Sequence, residues 1–407
     1  MSEAYIIDAC RTPRGIGKQG KGSLAHLHPQ HLGATVLRAL QERTGFDTAD
    51  VDDVVWGTSS QVVEQSGDIG RMSALAAGYD IKASGVTLDR FCGSGITSAN
   101  IAAASVKSGL EDLVISGGTE MMSLPKKGLL PMGGGNPALD ELHPQAHQGV
   151  CADAIATMEG ISREALDSLA VLTQHRAETA INEGRFDRSL IPVLNPDGSV
   201  ALDREEFPRP GTTLEGLAKL QPSFEAVADY RHSEDAKTFR EQINRRYPDV
   251  EIKHFHHAGN SSGVVDGSAA ILWASEDCVR AHGLTPRARI VAMANMGDDP
   301  TLMLNAPVPA ARKVLEKAGM TLDDIDVIEI NEAFAVVSEK FQRDLDVDRE
   351  KVNINGGAMA LGHPIGATGA VLINTALDEL ERQDKQLGLI TMCAAGGMAP
   401  AIIIERV

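Results

Sequence analysis

Two cysteines and a histidine stand at glycine-rich turns, where their side chains can reach a reacting molecule. Cys92 follows the extended-looking run GVTLDRF and precedes the small residues GSGITSA. His363 lies between Gly362 and Pro364, and Cys393 follows the β-like run LGLIT just before a glycine pair. A thiol nucleophile needs a base to take its proton, and an imidazole is a common one. The residue types therefore favour a cysteine nucleophile, with a buried small residue and a turn histidine as the alternatives.

The segment after Cys92 predicts a helix that begins next to the cysteine. GSGITSANIAAASVKSG consists mostly of small residues, and Gly109 can end the helix. The positive end of the helix dipole and the free backbone N–H groups favour a thiolate there and can hold an oxyanion. We therefore expect a lowered pKa for the Cys92 thiol.

Asn331 in NEAFA supplies a neutral polar group after another β-like run. Its amide can hold a water or polarise a carbonyl without competing as a base. A helix cap is the alternative interpretation of this residue.

The elements that must position these residues alternate along the chain. Short β-like runs such as EAYIIDA and VDDVVWG are separated by helices predicted at about residues 29–42 and near 69–77. This alternation predicts an α/β fold. The middle of the chain, near residues 123–255, is richer in proline and charged helices, which indicates an inserted lobe.

Three segments of the first half reappear in the same order in the second half. The pairs are VDDVVWGTSSQ (51–61) with DIDVIEINEAFA (324–335), LDRFCGSGITSAN (88–100) with INGGAMALGHPIGATGA (354–370), and EDLVISGGTEMM (111–122) with QLGLITMCAAGGM (386–398). This order predicts one duplicated α/β unit with functional loops at equivalent strand ends.

Composition narrows the class of protein. The 407 residues predict two or three domains, and a net charge of −18 argues against an extended nucleic-acid surface. Five cysteines without a CxxC pair argue against a disulfide framework or a structural zinc site. We expect a reducing, cytoplasmic location. We also expect no signal peptide and no membrane span.

Several motifs together resemble those of the thiolase family. They are RFCGSG, GGTEMMS, AGNSSGVVDGSAA, NEAFA, NGGAMALGHPIGATG and CAAGGM, they occur in the family's order, and they span essentially the whole chain. The resemblance implies a duplicated five-layered α-β-α-β-α core with an inserted loop domain. The implied parts are residues 1–122 with 256–283 for the N-terminal half, 123–255 for the loop domain and 284–407 for the C-terminal half.

The resemblance also implies a reaction, in which CoA cleaves a 3-ketoacyl-CoA to acetyl-CoA and a shortened acyl-CoA, or the reverse Claisen condensation. Cys92 would carry the acyl group, His363 would activate it, and Cys393 would move the proton of the acetyl carbanion. Asn331 and His363 would hold a water for the enolate oxygen. The backbone N–H groups of Cys92 and Ala395 would form a second oxyanion hole.

Substrate-binding residues are implied position by position. Ser262 would contact the pantetheine arm, Arg209 and His147 would contact CoA, and Met303 and Gln148 would border the acyl pocket. No tightly bound cofactor or metal is expected, since CoA and acyl-CoA are substrates. Ala395 stands where the family often has glycine. Its N–H can still act as an oxyanion donor unless the position requires a positive φ. Leu304, Ala306 and Gln148 also differ from the residues that short-chain members of the family have at these positions.

The chain carries an insertion relative to most members, at about 225–257. It contains His254, His256 and His257, but no carboxylate or cysteine pattern supports a metal site. A helical extension that covers the acyl tunnel or an interface is favoured. Lys126 and Lys127 form either a basic rim or a solvated pair. A homodimer or homotetramer is expected, with EQSGDIGR (64–71) near the dimer interface.

Three other functions remain open at this point. A biosynthetic acetoacetyl-CoA thiolase would use the same residues in the condensing direction. A decarboxylating ketoacyl synthase of the same fold is disfavoured by the second cysteine, Cys393. A non-enzymatic CoA- or lipid-binding relative is disfavoured by the intact set of reactive residues.

Overall fold

The computed structural model describes residues 3–124, 135–233 and 236–407. Lys126 and Lys127 lie outside the described residues. The strands are β1 (Ala4–Arg11), β2 (Gly15–Ile16), β3 (Asp53–Gly57), β4 (Val86–Leu88), β5 (Leu113–Met121), β6 (Val193–Leu194), β7 (Val200–Leu202), β8 (Val265–Ser275), β9 (Ala288–Gly297), β10 (Val327–Ile330), β11 (Leu387–Thr391) and β12 (Met398–Arg406). The helices are α1 (Pro29–Thr44), α2 (Ile69–Ala77), α3 (Ser94–Ser108), α4 (Pro137–Leu142), α5 (Gln148–Met158), α6 (Arg163–Asn182), α7 (Leu214–Ala218), α8 (Glu225–Ala228), α9 (Phe239–Arg246), α10 (Glu276–His282), α11 (Pro307–Ala318), α12 (Ala335–Leu345), α13 (Ala358–Leu361) and α14 (Thr368–Arg382).

Two sets of strands repeat one topology, as the internal similarities predict. The first set runs β4-β3-β5-β8-β1 and the second runs β9-β12-β11-β10, with an isolated bridge between Ile328 and Val352 in the place of β4. In each set the inner neighbours, β3 with β5 and β10 with β11, are parallel, and the two strands that follow pair antiparallel. The sets meet at β1 and β9, where Tyr5 pairs with Arg289 and Ile6 with Ala288.

Helices α3 and α14 lie between the two sets of strands. Helix α3 packs on β3 and β5 and also on β12, while α14 packs on β10 and β11 and also on β8. The two helices approach closely at Gly95 and Gly369, where a side-chain carbon on Gly369 would lie 2.1 Å from the Ile96 nitrogen. Glycine is therefore required at the crossing, because a Cβ there would separate the two helices.

The outer layers complete the core. Helices α1 and α2 pack on the first set of strands, and α11 packs on β9 and β12 of the second. The helix predicted after Cys92 is confirmed as α3, and it ends at Gly109 with φ 74°. The helices predicted at about 29–42 and near 69–77 are confirmed as α1 and α2.

The segment between β5 and β8 contributes the helices α4 to α9, of which α6 is the longest with 20 residues, and the β6–β7 pair. Buried ion pairs from Arg11 (2.6 Å) and Arg14 (2.7 Å) to Glu205 tie this segment to the end of β1. The domain boundaries predicted from the sequence stay predictions. Within the described ranges, none of the helices has the length and apolar character needed to cross a membrane.

Candidate active site

Cys92 sits in a tight turn that leads directly into α3. Phe91 adopts a left-handed backbone conformation with φ 51°, which is uncommon for a residue with a side chain. The Ser94 hydroxyl accepts a hydrogen bond from the Arg90 N–H (2.9 Å) and donates one to the Phe91 carbonyl (2.7 Å). This pair of bonds holds the strained turn, and strain of this kind concentrates at functional sites.

The CAAGGM turn brings a second backbone donor to the Cys92 sulfur. The N–H groups of Cys92 and Ala395 both form hydrogen bonds with the Cys92 thiol. The left-handed positions of this turn are Gly396 (φ 77°) and Gly397 (φ 73°), whereas Ala395 has no positive φ. Alanine is therefore compatible with the backbone at position 395. The oxyanion-hole role of these two N–H groups stays a prediction.

The thiol of Cys92 is held in its protonated form, so the expected lowered pKa is wrong. Burial and then the nearby Glu120 raise the pKa of Cys92 to about 12, against the opposing hydrogen bonds from its own N–H and from Ala395. Desolvation disfavours the charged form of a thiol, and here it outweighs the helix terminus. Burial also raises the pKa of Cys393, and proximity to Cys92 raises it further.

His363 is oriented as a neutral base with a free nitrogen. Its Nδ1 lies 2.6 Å from the Thr368 hydroxyl oxygen, and that hydroxyl donates its proton to the Pro364 carbonyl at 3.0 Å. With the single hydroxyl proton directed to the Pro364 carbonyl, Nδ1 carries the imidazole proton and Nε2 carries the lone pair. Nε2 is buried and has no hydrogen-bond partner among the described residues. Burial lowers the pKa of His363 to about 3, which keeps the ring neutral.

Asn331 presents an unused amide beside the CAAGGM turn. Asn331 directly follows β10, and its backbone N–H donates to the carbonyl of Thr391 at the end of β11 (3.3 Å). The side chain is fully buried, yet neither Oδ1 nor Nδ2 has a partner in the described part of the chain. A buried amide without partners is costly and therefore indicates a functional role rather than a helix cap.

Glu120 joins the two halves beneath the site, a role that the sequence did not reveal. Its Oε2 accepts backbone N–H bonds from Ser59 and Gly366, both at 2.9 Å. Its Oε1 accepts from the Ser60 N–H at 3.2 Å and the Gln65 amide at 2.9 Å. The carboxylate thus holds the loop after β3 and the loop that carries His363. The only signal in the sequence was its place in GGTEMMS.

A cavity of about 780 Å³ opens beside Cys92. Cys92, Ala395, His147 and Gln148 line it, so the structure brings the predicted nucleophile, one oxyanion donor and two predicted substrate contacts together. Met303 is fully buried in the hydrophobic cluster that contains Cys393, and it does not line this cavity. The acyl-pocket role predicted for Met303 stays a prediction.

Ser262 and Arg209 lie on another side of the site. Gly263, next to Ser262, accepts the His363 N–H with its carbonyl (2.9 Å), and a side chain on Gly263 would overlap the Phe207 ring. The exposed Arg209 guanidinium lies 5.3 Å from the centre of that same ring. Both residues are therefore close to the loop of His363, and their CoA contacts stay predictions.

His147 caps helix α5, and its predicted contact with CoA stays a prediction. Its Nδ1 accepts the Gly149 N–H at 3.1 Å, and burial lowers the pKa of His147. The ring also lies 5.6 Å from Phe224 and 5.9 Å from Phe239, centre to centre. His147 can donate a hydrogen bond through Nε2, but it does not supply positive charge for CoA phosphates.

Each of the three histidines of the insertion is paired with a carboxylate. Asp153 pairs with Nδ1 of His254 (2.8 Å) and of His256 (2.7 Å), and Asp167 pairs with Nε2 of His257 (2.9 Å). In residues 3–124, 135–233 and 236–407, no group of three or more His, Cys, Asp or Glu side chains is arranged to hold a metal ion. The insertion also forms α8 and α9, as the helical extension predicts.

Comparison with known proteins gives the family. Family models described as "Thiolase, N-terminal domain" and "Thiolase, C-terminal domain" match residues 4–236 and 284–406. The chain belongs to the thiolase family. It is 40% identical to a steroid 3-ketoacyl-CoA thiolase of Mycobacterium tuberculosis, over 100% of this chain and 95% of that protein. It is also 38% identical to a beta-ketoadipyl-CoA thiolase of Acinetobacter baylyi over the full length of both.

The same fold occurs in a solved thiolase-family structure. The acetyl-CoA acetyltransferase of Bacillus anthracis superposes with a TM-score of 0.85 at 32% identity, covering 100% of this chain and 99% of that one. The predicted thiolase fold is therefore confirmed. The chain is a thiolase-type acyltransferase that uses CoA and acyl-CoA as substrates.

Proposed function

We propose that this thiolase cleaves 3-ketoacyl-CoA in the degradative direction through an acyl-thioester on Cys92. The observation that carries the proposal is a set of buried polar groups that the described residues leave unused. The lone pair of His363 Nε2 and the amide of Asn331 have no partner among the described residues, and the N–H groups of Cys92 and Ala395 both bond to the Cys92 thiol. These are the base and the donors that thioester formation and enolate stabilisation need.

The first half-reaction starts from uncharged groups. The Cys92 sulfur attacks the keto carbon as His363 Nε2 takes the thiol proton, so that no free thiolate has to exist at rest. The bond between the α- and β-carbons then breaks, and its electron pair forms the enolate of acetyl-CoA. Asn331 and His363 stabilise the enolate oxygen through a water. Cys393 gives its thiol proton to the α-carbon, and acetyl-CoA leaves.

The second half-reaction restores every proton. Cys393, now a thiolate, removes the proton of an incoming CoA thiol, and the CoA sulfur attacks the thioester. The N–H groups of Cys92 and Ala395 hold the oxyanion of this tetrahedral intermediate. The Cys92–carbonyl bond breaks, and His363 returns its proton to the Cys92 sulfur. The shortened acyl-CoA leaves.

Mass spectrometry of the intact protein tests this proposal. After mixing with a 3-ketoacyl-CoA, the wild-type chain is expected to gain the mass of the shortened acyl group, and Cys92→Ser is expected to gain none. Thiolysis by Cys92→Ser is expected to fall by at least 1,000-fold. Cys278→Ser, which changes a thiol at the start of α10, is the matched control and keeps both signals. Wild-type turnover by Cys92→Ser would refute the proposal.

We further propose that the protein is a homodimer and that it acts in the cytoplasm. All five cysteines are free thiols, which fits a reducing compartment. No strand in the described part of the chain pairs with the outer side of the edge strand β4. Met72, Leu75, Ile81 and Val86 are exposed to 38–81% on β4, on the adjoining helix α2 and on the loop between them. A second copy pairing at this edge would cover these apolar side chains.

A further inference from the structure

The loop that follows β9 is in direct backbone contact with the CAAGGM turn. The Asp298 N–H donates to the Gly397 carbonyl at 2.6 Å. Gly397 has φ 73°, and a side-chain carbon on it would lie 2.6 Å from the Asp298 carbonyl oxygen and 2.8 Å from that of Asp299. Because no side chain fits between the two segments, the turn packs directly on this loop and follows its position.

The contact at Gly397 bears on the backbone next to Cys92. The turn is closed by a pair of hydrogen bonds, from the Ala394 N–H to the Met398 carbonyl (2.7 Å) and from the Met398 N–H to the Ala394 carbonyl (3.1 Å). Ala395 and Gly397 both lie within this closed turn, so a shift of Gly397 also shifts the Ala395 N–H that bonds to the Cys92 thiol. The loop after β9 therefore helps to set the position of a donor at the nucleophile.

The carboxylate and the carbonyl of Asp299 organise this loop. Oδ1 of Asp299 accepts the Thr301 N–H at 2.8 Å, and the Asp299 carbonyl accepts the Met303 N–H at 2.9 Å. Met303 has φ 64°, a left-handed conformation that is uncommon for a residue with a side chain. Strained backbone of this kind persists only where surrounding contacts hold it, and Asp299 supplies two of them.

A side chain of the insertion binds the other oxygen of that carboxylate. The Tyr247 hydroxyl donates to Oδ2 of Asp299. Tyr247 directly follows α9, and the Asn244 amide of that helix donates to its carbonyl at 3.2 Å. Burial, and then the hydrogen bond to Asp299, raise the pKa of Tyr247 to about 12, so the phenol stays a donor. Neither Tyr247 nor Asp299 lines the cavity beside Cys92, as the described residues outline it.

We propose that Tyr247 is a positioning residue for acyl transfer from Cys92 to CoA. It acts through Asp299 and the loop at 298–303, which hold the CAAGGM turn and the Ala395 N–H beside the acyl group. The inference rests on the proposed function, because it assumes that this N–H holds the oxyanion of the thioester intermediate. It gives the insertion an effect on the rate of the reaction without contact with the substrate.

Measuring acyl transfer by itself tests this role. The wild-type chain and Tyr247→Phe are loaded with the acyl group by a 3-ketoacyl-CoA, and acetyl-CoA is removed. CoA is then added, and the loss of acyl mass from the intact protein is followed by quenched flow and mass spectrometry. At saturating CoA, transfer in Tyr247→Phe is expected to be about tenfold slower, because a misplaced donor stabilises the oxyanion less. The CoA concentration that gives half the maximal rate is expected to change by less than about twofold, since Tyr247 does not line the cavity.

Two further variants separate positioning from a general loss of stability. Tyr230→Phe removes the same hydroxyl from a tyrosine of the insertion that is 54% exposed, and its transfer rate is expected to stay within about twofold of the wild type. Asp299→Asn changes the acceptor of the Tyr247 hydroxyl. If the two residues act through one another, adding Tyr247→Phe to Asp299→Asn slows transfer by less than about twofold. Hydrogen exchange of the peptide at 392–398 is expected to be faster in Tyr247→Phe and unchanged in Tyr230→Phe.

The rate constant distinguishes the possible outcomes. A smaller folded fraction lowers the amount of loaded protein but not the rate constant of the protein that remains loaded. A rate constant in Tyr247→Phe within about twofold of the wild type overturns the inference, and so do losses that multiply in the double variant. Absence of acyl mass on the wild-type chain instead overturns the proposed function.

Discussion

At the scale of single residues, the thiol and the imidazole are both held uncharged. Burial raises the pKa of Cys92 to about 12 and lowers the pKa of His363 to about 3, so a resting thiolate–imidazolium pair is disfavoured. In the proposed mechanism, Cys92 loses its proton to His363 only as its sulfur attacks the substrate carbonyl. In that mechanism, the N–H groups at the sulfur serve the oxyanion rather than a resting thiolate.

The neutral, buried His363 makes stability depend on pH. The unfolded chain binds a proton at this histidine below pH 6.5, and the folded chain does not until about pH 3. The folded state is therefore fully favoured above pH 6.5 and loses stability as the pH falls toward 3. We expect the free energy of unfolding of the wild type, relative to His363→Gln, to fall by about 1.4 kcal/mol per pH unit between pH 6 and 4.

Denaturant unfolding of both proteins at several pH values measures this difference. Other titrating groups are common to the two chains and cancel in the comparison. His175→Gln, at an exposed histidine on α6, controls for the loss of a histidine as such. A difference between wild type and His363→Gln that stays constant from pH 7 to 4 would contradict the buried neutral ring.

At the scale of elements, the start of α14 sets which nitrogen of His363 is free. The Thr368 hydroxyl on the first turn accepts a hydrogen bond from Nδ1 and donates one to the Pro364 carbonyl. The start of α14 thus sets the tautomer of His363. In the same way, the end of β10 sets the position of Asn331, and the CAAGGM turn sets the position of the Ala395 N–H. Thr368 is a positioning residue, because it acts on the substrate through His363.

Removing the hydroxyl tests this arrangement. Thr368→Val keeps the shape of the side chain but leaves Nδ1 without an acceptor, so the two tautomers mix and the ring loses its orientation. We expect kcat for thiolysis to fall by about tenfold or more while KM changes by less than about twofold. Thr368→Ser restores the hydroxyl and is expected to recover most of the activity. Equal losses in the valine and serine variants would indicate a packing role instead.

At the scale of the whole molecule, duplication places the reactive groups of the two halves together. Cys92 precedes α3 and His363 precedes α14, and these helices cross where glycines allow close approach. Glu120 of the first half binds Gly366 of the second and holds the loops in register. The proposed dimer extends the same core outward from the edge strand β4.

A charge on that edge tests the dimer. Val86→Lys on β4 places an ammonium group where a second copy would pair, and edge lysines oppose such pairing. We expect light scattering after size-exclusion chromatography to show a dimer for the wild type and a monomer for Val86→Lys. Val200→Lys, at a valine on β7 that is 55% exposed against 44% for Val86, is the matched control and should remain dimeric. A Val86→Lys protein that stays fully dimeric would place the interface elsewhere.

Much of the fold and of the reactive set could be predicted from the sequence. Local patterns predicted α1, α2 and α3, because small and apolar residues with a terminal glycine specify a helix and its end. The order of the motifs predicted the family and the duplicated core. Each motif consists of a few neighbouring residues and can therefore be recognised without the fold. Cys92, His363, Cys393 and Asn331 were found by the same local signals.

Only the tertiary structure decided the protonation states and the shape of the cavity. The pKa of Cys92 depends on burial and on Glu120, and the tautomer of His363 depends on a hydroxyl five residues further along. The backbone angle at Ala395 is likewise set by long-range packing. The sequence by itself determined which reactive groups are present, because residue type and motif are local. Their charge, orientation and reach follow from neighbours that are distant in the chain, which only folding brings together.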